Sequence, residues 1–93
     1  MIDNAQENIK MTCESLKLFL LEKNRRYGNS ALEPINVFSK LGSKEGIKLR
    51  LDDKVKRIKN SNELRKNDVI DLTGYLILLC VHENWTNFDD LLD

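Results

Sequence analysis

The sequence is short of most things that define a specialised class. It has only two cysteines, one proline, four glycines and one histidine in 93 residues, and 6% of it is aromatic. Two cysteines cannot build a disulfide scaffold, and neither Cys13 nor Cys80 stands at metal-ligand spacing. Both sit in apolar stretches, so buried free thiols in a reducing compartment are expected. No long hydrophobic run exists. The longest uninterrupted one, Tyr75–Val81, is far too short to span a bilayer. No early apolar run follows a basic start, so a secretory signal is not expected and the Asn84-Trp85-Thr86 sequon carries no weight. Cytoplasmic residence is the expectation. Low proline and glycine exclude collagen-like and linker-like chains.

Net charge is also missing: 15 Lys and Arg balance 15 Asp and Glu. The balance hides a segregation. Residues 1–43 carry +1, residues 44–66 carry +5 and residues 67–93 carry −6. Adjacent elements of opposite charge either pair with each other or meet a phosphate and a cation. Zero net charge and a short basic segment argue against double-stranded nucleic acid as partner.

What is present is helical periodicity. From about Gln6 to Arg26, Ile9, Cys13, Leu16, Phe19, Leu20 and Lys23 recur at steps of three and four, with Met11, Leu18 and Leu21 on a second stripe. A helix apolar on two sides needs two partners, and a homo-oligomer is expected to supply one of them. Gly28 is placed to stop this helix. A short helix around Pro34 carries Ile35, Val37 and Phe38. Ser43 reads as the N-cap of a helix from about Lys44 to Lys59, with Ile47, Leu51, Val55 and Ile58 as its buried stripe. The last helix, from about Lys66 to Asn84, is apolar nearly all round and reads as the central one. The tail from Trp85 to Asp93 could dock on the domain or on another subunit. No stretch alternates with period two, and no repeat occurs. The expected fold is all-α: three main helices and a short one in a single domain over residues 1–93. A chain of this size buries roughly 65% of its unfolded surface, a small core.

Polar residues on otherwise buried helices mark where chemistry could sit. Arg50, Asp53, Lys54 and Arg57 share one helix face; Asp68, Asp71, Tyr75 and His82 share another, within about 60° at 100° per residue. Asp68 in a first turn complements the helix dipole. Asp71 has two readings of equal standing: a salt bridge to Arg50 or Lys54 across the bundle, or part of a ligand or metal site. The segment Lys23-Asn24-Arg25-Arg26-Tyr27-Gly28-Asn29-Ser30 offers cations, an aromatic ring and small hydrogen-bonding groups. Basic helix ends are common for dipole reasons, and phosphate or base contact is the alternative. His82 reads as a satisfied or surface histidine. Neither a Ser/His/Asp nor a Cys/His set is in register, and there is no glycine-rich phosphate loop.

The Lys23–Ser30 segment, Phe38-Ser39, the run from Ile47 to Ile58 with its R-L-D-D-K block, and Asp68-Val69-Ile70-Asp71-Leu72-Thr73-Gly74-Tyr75 together resemble the phage nucleotide modification associated domain. The likeness spans roughly residues 15–82. That domain in turn is similar to the all-α nucleotide pyrophosphohydrolases of the MazG-like and dimeric dUTPase-like group. Those carry E-x-x-E on one helix and E-x-x-D on the next, and the acids bind magnesium. Here the matching positions read Arg50-x-x-Asp53, fourteen residues, then Asp68-x-x-Asp71. The resemblance implies nucleotide binding, with Asp53, Asp68 and Asp71 as Mg2+ ligands. It also implies phosphate or nucleotide contacts from Lys23, Arg26, Tyr27, Arg50, Lys54, Arg57 and Tyr75. Arg50 stands where an acid is expected, which weakens a magnesium site and suits direct phosphate contact. Three functions follow: a Mg2+-dependent pyrophosphohydrolase, a non-catalytic binder that sequesters a nucleotide such as a host defence signal, and a structural helical module. No catalytic residue can be named.

Overall fold

The computed structural model describes residues 4–34, 36 and 40–92. Three helices carry the chain: α1 (Ala5–Tyr27), α2 (Ser43–Asn60) and α3 (Lys66–His82), followed by a single 3-10 turn at Asp89–Leu91. No strand occurs among the described residues, so the all-α expectation holds for them. Ile35, Val37 and Phe38, the apolar positions of the expected short helix, lie outside the described residues.

The helix ends show which local signals act. Gly28 closes α1 with φ 69° and ψ −156°, and its N–H donates to the Asn24 carbonyl at 2.7 Å. Side chains strongly disfavour that backbone region. The start of α2 departs from expectation. Gly42 is the N-cap, Ser43 already lies within the helix, and no side chain caps it. The Gly42 carbonyl accepts the first intrahelical bond, from Gly46 N–H at 2.9 Å. At the end of α3, Asn84 takes φ 61°, its N–H donates to the Val81 carbonyl, and Trp85 N–H donates to the Cys80 carbonyl. This six-to-one and five-to-two pair is a Schellman stop built on asparagine in place of glycine. It ends α3 two residues before the expected Asn84.

Helix α3 is central, since α1 and α2 both pack on it and not on each other among the described residues. The cross-helix contacts fix direction. Lys44–Glu83, Arg50–Tyr75 and Lys54–Asp71 run in opposite senses along α2 and α3, so these two are antiparallel. Leu20–Gly74 and Lys23–Asp71 make α1 antiparallel to α3 as well. Gly74 is the point of closest approach: a Cβ there would lie 3.2 Å from Leu20 Cδ2.

The core is thin. Ile47 is the one apolar side chain fully buried among the described residues, with Leu51 and Ile58 half-buried beside it. Val55 of the expected stripe is exposed instead. No residue of α1 is buried, and Cys13, expected inside, is an exposed free thiol. Cys80 is free and half-buried. Burial of an amphipathic stripe requires an opposing surface, and α1 meets one only near its C-terminal end.

Two glycine substitutions separate backbone from packing. Gly28→Ala should cost about 1–3 kcal/mol through backbone strain alone, because the space around it is open. Gly74→Val should instead push α1 off α3 through the Leu20 contact. Chemical denaturation followed by circular dichroism checks both, with Gly74→Val showing also the greater loss of α1 protection in hydrogen exchange.

Candidate functional site: a two-lysine pocket between the helices

The C-terminal end of α1 does not lie flat on α3. The chain turns away at Gly28, and the following loop folds back beside the helix. Asn24 pins it: Asn24 Nδ2 donates to Asn29 Oδ1 at 2.7 Å and to the Gly28 carbonyl at 3.3 Å. The Asn29 carbonyl then accepts from the N–H groups of Leu32 and Glu33, forming a tight turn. Between this loop, α1 and α3 lies a cavity of about 400 Å³, within the range of small-ligand sites.

Its polar wall is made by three helices. The Asp71 carboxylate of α3 lies 3.6 Å from Lys54 Nζ of α2 and 4.0 Å from Lys23 Nζ of α1. Both distances exceed those of charge-assisted hydrogen bonds, about 2.7–2.9 Å. Each ammonium carries three donors, so neither lysine is saturated by the carboxylate. Two cations against one anion leave the wall with net positive charge. Lys54 is well covered, with its side chain 17% exposed, so that charge is screened less than a surface one. Lys23 Nζ also lies over the Phe19 ring at 5.2 Å. Tyr27 and Tyr75 supply aromatic walls, and Ile70, Leu78 and Gly74 form the apolar floor.

Of the residues read from the sequence, Lys23, Tyr27, Lys54, Asp71 and Tyr75 line this cavity. Arg50 does not, but it touches the rim: Nη1 donates to Tyr75 Oη at 3.4 Å, and its guanidinium lies 5.8 Å from the ring centre. Arg26 is not brought in. Together with Arg25 it holds Glu22 on the outer side of α1, with Nε donating at 2.8 Å. These arginines keep the Glu22 carboxyl below the usual carboxylate range, Arg25 foremost. Arg57 is exposed and does not line the cavity. At 100° per residue it lies about 60° round α2 from Lys54, and Asp53 lies about 100° round.

That rotation turns Asp53, one of the three expected magnesium ligands, away from Asp71. Asp53 is exposed, Asp68 is buried in the first turn of α3 and absent from the cavity lining, and Asp71 is engaged by two lysines. Among the described residues no three His, Cys, Asp or Glu side chains come together as a metal-holding group. In this arrangement the donor set does not fit a three-carboxylate cation site.

Sequence reasoning treated Phe19 as a core residue and did not single out Asn24 or Asn29 as contacts. The signal for the asparagines was the Asn-Arg-Arg-Tyr-Gly-Asn run itself, where a side-chain amide stands on each side of the helix stop. No family model, curated protein or solved structure matches the chain. No helix among the described residues is long and apolar enough to cross a membrane.

A second polar cluster sits at the other end of α3. Lys44 Nζ lies 2.7 Å from Glu83 Oε1, a close ionic contact without an aligned hydrogen bond; His82 Nδ1 is 3.7 Å from the same oxygen. The Lys44 ammonium lowers the Glu83 carboxyl below its ordinary value of 4.5, and Glu83 raises Lys44 above its ordinary 10.5. The carboxyl's contribution to stability is therefore present above pH 4.5 and lost as pH falls through its lowered value. The ammonium's contribution is present below pH 10.5 and lost as pH rises through its raised value. Glu83→Gln should lower the melting temperature most between these limits. The gap to the unmutated chain should close when melting is repeated below Glu83's lowered value.

Proposed function

We propose that the cavity binds a nucleotide through its phosphate, and that binding rather than hydrolysis is its activity. The observation that carries this is the pair of unsaturated ammonium groups, Lys23 and Lys54, flanking a single carboxylate. A phosphate oxygen placed between them would gain charge-assisted hydrogen bonds and complete donors that Asp71 leaves open. Asp71 holds both lysines on the cavity side before the ligand arrives, so less ordering is needed on binding. Tyr27 and Tyr75 offer faces for a base or sugar. The Asn24 and Asn29 amides offer the paired donors and acceptors that base edges require. Arg50, held at the rim by Tyr75, has the planar fork that suits bidentate contact with a second phosphate.

The resemblance to the phage nucleotide modification associated domain points to the same ligand class. Non-catalytic binding is favoured over pyrophosphohydrolysis by the positions of the acids. A hydrolase of that kind needs carboxylates to hold the cation that activates water, and among the described residues Asp71 is the one carboxylate in the cavity lining. Magnesium would enter as the counter-ion of the nucleotide, with Asp71 the nearest carboxylate. Sequestration of a nucleotide, such as a host defence signal, is the biological role that a binder without turnover would serve.

Calorimetric titration with linear and cyclic nucleotides, with and without Mg2+, tests the reading, and a parallel assay follows pyrophosphate release. Binding to at least one phosphorylated nucleotide is expected, weakened tenfold or more by Lys54→Met at unchanged helicity. A nucleoside without phosphate should bind far more weakly. Failure of every phosphorylated nucleotide to bind would overturn the proposal, and Mg2+-dependent pyrophosphate release abolished by Asp71→Asn would replace it with the hydrolase.

A further inference from the structure

Charge limits what the cavity can hold. Lys23 and Lys54 bring two positive charges to its wall and Asp71 brings one negative charge, leaving a net of one. Among the described residues no arginine, histidine or glutamate lines it. Arg50 lies at the rim against the Tyr75 ring, outside the lining.

We infer that the phosphate this cavity prefers is a diester, as in a cyclic nucleotide or a dinucleoside phosphate, and not a terminal monoester or a polyphosphate. This rests on the nucleotide reading of the same site. Two observations select the diester. The first is the balance of charge. Attraction to the wall grows in proportion to a ligand's charge, whereas the cost of removing its water grows as the square. A second negative charge therefore gains no more attraction than the first and costs about three times as much to cover. The cover over Lys54, whose side chain is 17% exposed, makes that cost count. A phosphodiester carries one negative charge, and a phosphomonoester carries about 1.5 to 2 at pH 7. A polyphosphate carries more still and needs Mg2+ as counter-ion to approach the same balance.

The second observation is the number of charged donors. A diester has two unesterified oxygens, one for each ammonium group. A monoester has a third terminal oxygen, for which the described lining holds no third cation. The Asp71 carboxylate, within 4.0 Å of both lysines, is instead a nearby negative charge that repels it.

Calorimetric titration of the intact chain near pH 8 tests this. For each of the four common bases it compares the 3′,5′-cyclic phosphate and the dinucleoside phosphate with the 5′-monophosphate. For the base bound best, one of the diesters should bind at least about tenfold more tightly than the monophosphate. Asp71→Asn gives the wall a second net charge and should narrow that ratio. Lys23→Met, at a half-exposed position, removes the net charge and should widen it, which keeps the test decisive if the Asp71→Asn chain unfolds. A monophosphate bound as tightly as both diesters would overturn the diester and leave nucleotide binding standing. A ratio that neither variant moves, with helicity unchanged, would overturn the charge match. Failure of every phosphate to bind would overturn both readings together.

Discussion

The Asp71 carboxylate is where charged groups of all three helices meet among the described residues: Lys54 at 3.6 Å and Lys23 at 4.0 Å. Because α1 and α2 do not pack on each other, the geometry between them is set through α3, and Asp71 is the point at which both are registered. A carboxylate on a largely apolar helix is costly to cover unless paired. Pairing it with two ammonium groups satisfies it and leaves the surrounding wall positive. The same residue thus acts as a strut for the fold and as the origin of the cavity's charge.

The thin core follows from how apolar residues are distributed. Helix α3 is apolar nearly all round, yet among the described residues it has two helical neighbours, and α2 covers much more of it than α1 does. Ile47 of α2 is fully enclosed, while Leu76, Ile77 and Val81 of α3 remain 46%, 37% and 46% exposed. Among the described residues the apolar stripes therefore exceed the surfaces that cover them. Local salt bridges such as Lys17–Glu14 and Lys48–Glu45 support the helices individually, but they do not close that deficit.

Much of this was legible in the sequence, and the failures share a cause. Step-three and step-four recurrence located all three helices, Gly28 located the end of α1, and the shared helix faces put Lys54 opposite Asp71. Those inferences depend on the chain's own covalent geometry. Burial does not. Cys13 and Val55 fall on regular apolar stripes and are exposed, because a stripe records which face could be covered and not whether a neighbour reaches it. The cap of α2 failed more narrowly: Gly42 took the position that a serine side chain would fill, with only backbone bonding. Among the described residues the resemblance-derived Asp53, Asp68 and Asp71 do not form one metal-holding group, and for Asp53 the reason is rotational. Asp53 precedes Lys54 by one residue, and once Lys54 turns toward Asp71 its neighbour must point about 100° away.

The division of α1 into two functional halves follows from the same geometry. Its C-terminal half carries Leu20, Lys23 and Tyr27 onto α3 and the cavity; its N-terminal half extends past the body with Ile9 and Met11 uncovered. In the free chain the two halves are coupled only through the rigidity of the helix. A phosphate held between Lys23 and Lys54 would add a tie between α1 and α2 that the chain otherwise lacks, fixing the direction in which the free half projects. The cavity is thus built on the anchored end of the rod.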